Sequence, residues 1–214
     1  MIDLLRRLIG GLNAEPEPGT KFIFFLGNPG PQYSTTRHNV AWWLADRVAT
    51  EWFAGRFRKE GSMSVARAVV NERPVELIKP LTYMNRSGQL VRPLPGYEWF
   101  DAARDLLVVV DDVALDPGRA RLRPTGSSGG HNGLRSIEAA LETTEYPRLR
   151  IGVGSAPAGA DLAEWVLSSP PPEERRRILD LYPELQEALD LWVKGDVEMA
   201  MNRANSAGRR EGGS

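Results

Sequence analysis

The chain has only two histidines, and an asparagine follows each of them. The pairs are His38-Asn39 and His131-Asn132, and both lie where a loop is predicted to enter a helix. The positive end of a helix dipole favours the neutral imidazole, which is the form that a general base needs. A nearby carboxylate favours the charged form, so the two influences together can leave a pKa near neutrality. Both histidines are therefore candidates for acid–base chemistry, with a structural role as the alternative.

Asp111 is the natural carboxylate partner for such a histidine. It follows the apolar run Leu106 to Val110, which predicts a buried strand. Ligand sites in α/β sheets gather beyond the carboxyl ends of strands. The sequence places Asp111 at one such end and Asn28 at another, after the apolar run of residues 22–26. A helix cap or a turn residue is the alternative interpretation of Asp111.

Four asparagines lie in loops that resemble motifs. A carboxamide both donates and accepts hydrogen bonds, so it can position a water molecule or stabilise an oxyanion. Asparagine is also a favoured turn residue, and that alternative stays open for each position. The four residues are Asn28, Asn39, Asn85 and Asn132.

The glycine-rich segment Thr125 to Leu134 has three competing interpretations. It lacks the glycine spacing of phosphate-binding loops in nucleotide-binding proteins. It contains a G-x-S-x-G pattern around Ser128, but a serine hydrolase of that type needs an acid and then a histidine later in the chain, and only His131 follows. The third interpretation is a mobile loop that contacts substrate, because backbone with few side chains allows close approach.

Three aspartates could in principle bind a magnesium ion, but their spacing along a strand does not favour such a site. They are Asp111, Asp112 and Asp116. Adjacent side chains of a strand point to opposite faces, so the first two are poorly placed to share one ion. Surface and turn carboxylates are the favoured interpretation.

Arginines alternate along two predicted strands. Arg119, Arg121 and Arg123 form one series, and Arg148 and Arg150 form another. At the two-residue period of a strand each series projects from one face. Such faces can bind phosphates bidentately, or they can be ordinary solvated surfaces.

Composition and patterning predict one folded domain. The 214 residues are 42% hydrophobic and carry a net charge of −1, which argues against non-specific coating of nucleic acid but allows a local basic patch. The absence of cysteine excludes disulfides and cysteine zinc sites. No apolar run reaches the roughly 18 residues of a membrane helix, and no secretory signal is evident, so we expect a cytoplasmic protein. We expect a flexible extension over residues 1–20, the domain over 21–205 and a disordered tail over 206–214.

Strands and helices alternate along that domain. This pattern predicts a single α/β domain with a twisted, mixed and mostly parallel sheet flanked by helices. The predicted strands cover residues 22–26, 64–70, 75–78, 106–110, 120–123 and 149–153, with helices at 39–53, around 134–141 and from 161 onward, interrupted at Pro183.

Several motifs in this order resemble the bacterial peptidyl-tRNA hydrolase family. The resemblance covers residue 22 to about residue 205 and is more specific than any single motif. The motifs are GNPG at 27–30, TRHN at 36–39, PLTYMNRSG at 80–88, Asp111 with DPG at 116–118, SGGHNGL at 128–134, RLRIGVG at 148–154 and AMNR at 200–203.

The resemblance implies hydrolysis of the ester bond between a peptide and the 3′ ribose of a tRNA. It implies a usually monomeric enzyme with no metal, no organic cofactor, no membrane association and no obligate protein partner. Carried over to this chain, His38 is the general base that activates water and Asp111 orients and polarises it. The residues implied to bind the substrate are Asn28, Tyr33, Met84, Asn85, His131 and Asn132, and those implied to bind tRNA phosphate are Arg123 and Arg150.

This chain departs from the family in one respect that concerns tRNA. Relatives often have a third basic residue for the 5′ phosphate, and its position falls in residues 156–160, where this chain has no lysine or arginine. A non-catalytic RNA-binding protein with the same fold is the main alternative function. A turnover assay separates that alternative from the hydrolase.

Overall fold

Buried apolar runs form the centre of a single sheet in the computed structural model, which describes residues 15–209. The seven strands within these residues are ordered β2-β3-β4-β1-β5-β7-β6 across the sheet. They are β1 (Lys21–Phe25), β2 (Arg58–Glu60), β3 (Met63–Val70), β4 (Arg73–Pro80), β5 (Leu106–Asp112), β6 (Ala120–Arg123) and β7 (Arg148–Gly152).

The centre of the sheet is parallel and its two edges are antiparallel. β1 lies parallel to both β4 and β5, and β5 lies parallel to β7. The pairs β2–β3, β3–β4 and β6–β7 are antiparallel. The sheet is therefore mixed, as predicted. Because β1 and β5 are parallel neighbours, the segments that follow them emerge at the same edge of the sheet.

Helices cover both faces of the sheet. Alternate residues of the central strands face opposite sides, and they form two separate apolar cores. One core packs against α1, α6, α7 and α8, and the other packs against α2 and α4. The helices are α1 (Val40–Glu51), α2 (Gly88–Val91), α3 (Ala102–Asp105), α4 (Asn132–Leu141), α5 (Leu162–Val166), α6 (Pro172–Asp180), α7 (Tyr182–Lys194) and α8 (Val197–Ser206).

Most predicted elements are present with small shifts in their ends. The predicted hairpin is β3–β4, and its two turn residues, Asn71 and Glu72, both have positive φ. Pro183 lies in the first turn of α7, where proline is tolerated, so the predicted interruption is a boundary between two helices. The strand β2 was not predicted, because its three residues are all charged and have no apolar signal.

The predicted extension and tail lie partly outside the described residues, which exclude 1–14 and 210–214. At the carboxyl end, α8 continues to Ser206, and Ala207 is buried. Gly208 has a φ of +68°, and a Cβ there would lie 2.1 Å from the carbonyl oxygen of Gly118. The chain therefore packs against the domain as far as Gly208. No helix within residues 15–209 has the length and apolarity needed to cross a membrane.

Candidate active site

The two histidines and Asp111 meet at the carboxyl edge of the sheet. His38 Nδ1 lies 2.7 Å from Asp111 Oδ1, and His131 Nε2 lies 3.1 Å from the same oxygen. The two imidazole rings are 5.2 Å apart between centroids. We call these three residues the His–Asp–His cluster. The predicted contact between His38 and Asp111 is confirmed.

Each member of the cluster stands at the end of a secondary-structure element. His38 lies in a 3₁₀ turn, Arg37–Asn39, directly before α1. Asp111 is the penultimate residue of β5 and is 2% exposed. His131 is the N-cap of α4, and its side chain accepts hydrogen bonds from the backbone N–H groups of Gly133 and Leu134. The prediction that both histidines stand where a loop enters a helix is confirmed.

Burial and charge act in opposite directions on the pair that His38 forms with Asp111. Burial alone would lower the pKa of His38, but the charge and hydrogen bond of Asp111 hold that pKa above its usual value. Burial alone would raise the pKa of Asp111, but the two histidines hold it well below its usual range. Asp111 is therefore a carboxylate at neutral pH, and His38 is a stronger base than a free imidazole.

Asn39 fixes the backbone of the loop that follows β1. Its Nδ2 donates to the carbonyl oxygen of Asn28, and its Oδ1 accepts from the N–H of Asn28, both at 2.9 Å. The Oδ1 of Asn28 in turn accepts from the N–H of Met84 at 2.9 Å. These bonds orient the Asn28 carboxamide, whose Nδ2 has no partner among residues 15–209. Asn39 therefore has a structural role, because both polar atoms of its carboxamide are bonded to the backbone of Asn28.

Gly133 allows Met84 and α4 to approach each other closely. A Cβ at this position would lie 2.6 Å from Met84 Sδ and 2.7 Å from Leu26 Cδ1, distances that real Cβ atoms do not show. The absence of a side chain therefore lets the N-terminus of α4 pack onto the end of the first strand. That packing brings His131 within reach of Asp111.

A cavity of about 270 Å³ opens beside the His–Asp–His cluster. All three members of the cluster line it, and no residue within 15–209 bonds the Nε2 of His38. One wall is apolar and comes from Val113 and the short helix α5. The cavity is lined by His38, Asp111, Asp112, Val113, Gly129, Gly130, His131, Asn132, Arg150, Leu162, Ala163 and Val166.

The other predicted substrate residues occupy several environments. Asn132 lines the cavity and is exposed, and its Oδ1 accepts from Arg135. Met84 is buried, Tyr33 is half-buried, and Asn85 is exposed. None of these last three lines the cavity, and neither does Asn28. Their assigned contacts with substrate remain predictions.

The alternating arginines form one continuous surface. In the antiparallel register Arg121 pairs with Arg150 and Arg123 pairs with Arg148, so all four project from the same face. We call these four residues the arginine face. Arg121 and Arg123 are exposed, whereas Arg148 is 1% exposed. Arg150 pairs with Asp112 at 3.3 Å and donates to the carbonyl oxygens of two loop residues, Ser127 and Ser128.

The atoms of the His–Asp–His cluster that could bind a metal ion lie within 4.8 Å of one another, but their hydrogen bonds do not suit a metal site. His131 uses Nδ1 as an acceptor for α4, and the facing nitrogens of both histidines converge on Asp111 Oδ1 as hydrogen-bond partners. The structure also gives no support to the other two alternatives, a magnesium site at the aspartates and a serine nucleophile. Asp112 faces Arg150 and the N–H of Ala114. The hydroxyl of Ser128 is bonded to no histidine side chain among the described residues.

Sequence reasoning missed the residues that hold the wall of the cavity. Arg37 Cζ stacks 3.6 Å from the ring centroid of Trp165 in α5. Its Nη groups donate to Ser168 Oγ at 2.7 Å and to Glu174 Oε2 at 2.9 Å. Arg37 lies within the TRHN motif at 36–39, but the sequence indicated no role for it. The i, i+4 apolar spacing of Leu162 and Val166 was the available signal for the wall.

Comparisons with known proteins identify the family of this chain. A family model described as peptidyl-tRNA hydrolase matches residues 22–211. The chain is 44% identical over 185 residues to the peptidyl-tRNA hydrolase of Gemmatimonas aurantiaca, covering 85% of this chain and 97% of that one. It is 41% identical over 188 residues to that of Symbiobacterium thermophilum, covering 87% and 99%. The crystal structure of peptidyl-tRNA hydrolase from Acinetobacter baumannii aligns with a TM-score of 0.82 at 31% identity, covering 91% and 98%.

Proposed function

Because the chain belongs to the peptidyl-tRNA hydrolase family, it hydrolyses the ester bond between a peptide and a tRNA, and we propose that His38 activates the attacking water. The observation that carries this proposal is the 2.7 Å hydrogen bond between His38 Nδ1 and Asp111 Oδ1. It leaves Nε2 as the atom of His38 that is free to take a proton. His38 lines the cavity, so a water molecule there is within reach of the base.

The reaction is an acyl transfer to water. The Nε2 of His38 takes a proton from water as the water oxygen bonds to the ester carbonyl carbon. The carbonyl electron pair moves onto oxygen, and its return expels the 3′ ribose oxygen, which receives the proton from the His38 imidazolium. Asp111 keeps the Nδ1 proton in place and stabilises that imidazolium. The ribose hydroxyl is a good enough leaving group that no covalent intermediate with the enzyme is needed.

Carboxamides supply the remaining polar contacts in this proposal. Asn132 lines the cavity and can donate to the oxyanion that forms on the ester carbonyl. Asn28 has a free Nδ2 in a fixed orientation, which suits a contact with the peptide. The family resemblance also implies substrate contacts for Tyr33, Met84, Asn85 and His131.

We assign the tRNA phosphates to the arginine face. Arg123 is exposed and carries a guanidinium that can bind phosphate bidentately. Arg150 is already bonded to Asp112 and to loop carbonyls, so its larger contribution is to hold residues 127–128 beside the cavity. The exposed Arg121 is the natural supplement to Arg123.

The proposal includes a cytoplasmic monomer that needs neither cofactor nor obligate protein partner. It rests on the family resemblance and on a complete set of polar groups for water activation within one chain. Size-exclusion chromatography with light scattering should give the mass of a single chain. Activity should persist after treatment with a chelator.

The decisive test is release of peptide from N-acylated aminoacyl-tRNA by the wild type and by His38→Ala, without added metal. We expect wild-type turnover and a loss of about 10²–10⁴-fold in the variant. We also expect wild-type kcat/KM to fall as the pH drops through the pKa of His38, which Asp111 holds above the ordinary value of a histidine, because only neutral His38 is a base. Circular dichroism of the variant checks that it is folded.

Two other outcomes point elsewhere. A wild type that binds tRNA but releases no peptide is a non-catalytic RNA-binding protein. Equal activity in both proteins keeps the hydrolase but removes His38 as its base.

A further inference from the structure

Both ring nitrogens of His131 are occupied inside the protein. Nδ1 faces the backbone N–H groups of Gly133 at 3.2 Å and Leu134 at 3.3 Å. A backbone N–H can only donate, so Nδ1 must accept and carries no proton. The ring proton is then on Nε2, which lies 3.1 Å from Asp111 Oδ1. His131 therefore has no free polar atom for a substrate.

We propose that His131 is a positioning residue that α4 holds as the neutral Nε2–H tautomer, so that it shares Asp111 with His38 and limits how tightly the carboxylate holds a proton on the catalytic base. This inference rests on the proposed role of His38. It replaces the substrate contact that the family resemblance implies for His131.

Sharing one oxygen has a direct effect on the base. A carboxylate that faces a single imidazole stabilises the imidazolium strongly, and a base that is protonated at neutral pH cannot take a proton from water. The N–H of His131 points at the same Oδ1 and offsets part of its negative charge. The centroid of its ring also lies 5.2 Å from that of the His38 ring.

A charged His131 is incompatible with this geometry. An imidazolium has N–H groups on both nitrogens, so its Nδ1–H would point at the two N–H donors that begin α4. The other charged groups that line the cavity with His38 are Asp112 and Arg150, which pair with each other at 3.3 Å. The helix α5 contributes only apolar side chains to the lining.

Nuclear magnetic resonance tests the tautomer without any substrate. The chain has only two histidines, so long-range ¹H–¹⁵N correlation spectra contain two imidazoles, and His38→Ala assigns them. We expect the His131 ring to be protonated on Nε2 and to carry no proton on Nδ1. A ring protonated on Nδ1 or averaged between tautomers would overturn the proposal.

The variant His131→Asn tests the effect on His38. Asparagine is a favoured N-cap, so it replaces the hydrogen bonds to the start of α4, but its single carboxamide then leaves Asp111 to His38 alone. We expect the pKa of His38 to rise by about 0.5–1 pH unit in the spectra. The acid limb of kcat/KM should move to higher pH by the same amount.

A second variant controls for the loss of helix-end stability. Asp101 caps α3 by accepting from the N–H of Ala103 at 2.9 Å, and it does not line the cavity. Asp101→Ala should lower the thermal midpoint and leave the acid limb in place. An unchanged or lowered His38 pKa in His131→Asn, or an equal shift in Asp101→Ala, contradicts the sharing of Asp111. Because the spectra need no turnover, this result is separate from any failure of the proposed hydrolysis.

Discussion

The His–Asp–His cluster and the arginine face adjoin at Arg150, but their charges are compensated in different ways. In the cluster, one carboxylate oxygen faces two imidazoles, and the second imidazole is also bonded to the start of a helix. On the arginine face, Arg148 is as deeply buried as Asp111, yet its Nε and Nη1 have no partner among residues 15–209. Burial lowers the pKa of Arg148 and is the largest influence on it.

This difference separates a preorganised centre from a surface that we propose binds phosphate. Chemistry on an ester requires groups already in position, because reorganisation during the reaction adds to the barrier. A phosphate-binding surface needs excess positive charge, which an anionic ligand then compensates. Removing a group from the cluster should therefore affect catalysis, whereas removing one from the arginine face should affect tRNA binding and barely affect stability.

The largest effect should come from Asp111→Asn. The amide keeps the size of the side chain but removes the charge that stabilises the His38 imidazolium, so we expect kcat/KM to fall by about 10²–10⁴-fold. The pKa of His38 should fall as well, because its partner carboxylate is gone. The residual acid limb should then move to lower pH, which a pH series of kcat/KM measures.

The direction of this shift distinguishes Asp111 from His131. His131→Asn should move the acid limb to higher pH, because it removes a hydrogen bond to Asp111 Oδ1, and Asp111→Asn should move it to lower pH, because it removes the charge of the carboxylate. If both variants shift the acid limb of kcat/KM in the same direction, they act by loosening the loop and not by changing the charge on Asp111 Oδ1.

Local pattern predicted the strands, the turn residues and the two histidines at helix starts. The contact of His38 with Asp111 was a hypothesis, supported by the rule that sites gather beyond the carboxyl ends of strands, and the structure places Nδ1 and Oδ1 2.7 Å apart. The all-charged strand β2 was beyond this approach, since hydrogen bonding to β3 forms it and no apolar periodicity marks it.

Contacts between distant segments were not predictable from the sequence. The substrate contact of His131 stays a prediction, but nothing local in the sequence shows that its Nδ1 caps its own helix while its Nε2 reaches β5. The phosphate contact of Arg150 also stays a prediction, but the bonds of its guanidinium to Asp112 and to a loop were not predicted. Arg37 reaches Ser168, 131 residues away in the chain. Which partner each of these side chains bonds depends on three-dimensional packing, and the alternation and spacing of residue types along the sequence do not specify it.

The contributions of two buried arginines to the free energy of unfolding can also be compared. Arg37 and Arg148 are each 1% exposed, but the Nη groups of Arg37 bond Ser168, Ser169 and Glu174. We expect Arg37→Met to lower the free energy of unfolding by about 2–4 kcal/mol, because it leaves buried acceptors unpaired. Arg148→Met removes a charge with two unpartnered donors and should change stability by less than about 1 kcal/mol, or increase it. Urea unfolding measures both, and equal losses would show that Arg148 is compensated after all.

The smallest effect should come from Arg123→Gln. Arg123 is exposed and lies across the strand pair from Arg148, so its loss removes about one phosphate contact and leaves the cluster intact. The slope of log affinity for tRNA against log salt should become shallower by about 1, with a several-fold weaker affinity and an unchanged kcat at saturating substrate. Arg58→Gln is the matched control, because Arg58 is also an exposed arginine and lies on β2 at the opposite edge of the sheet. If both variants flatten the slope equally, tRNA responds to the overall charge of the protein and the arginine face is not its binding site.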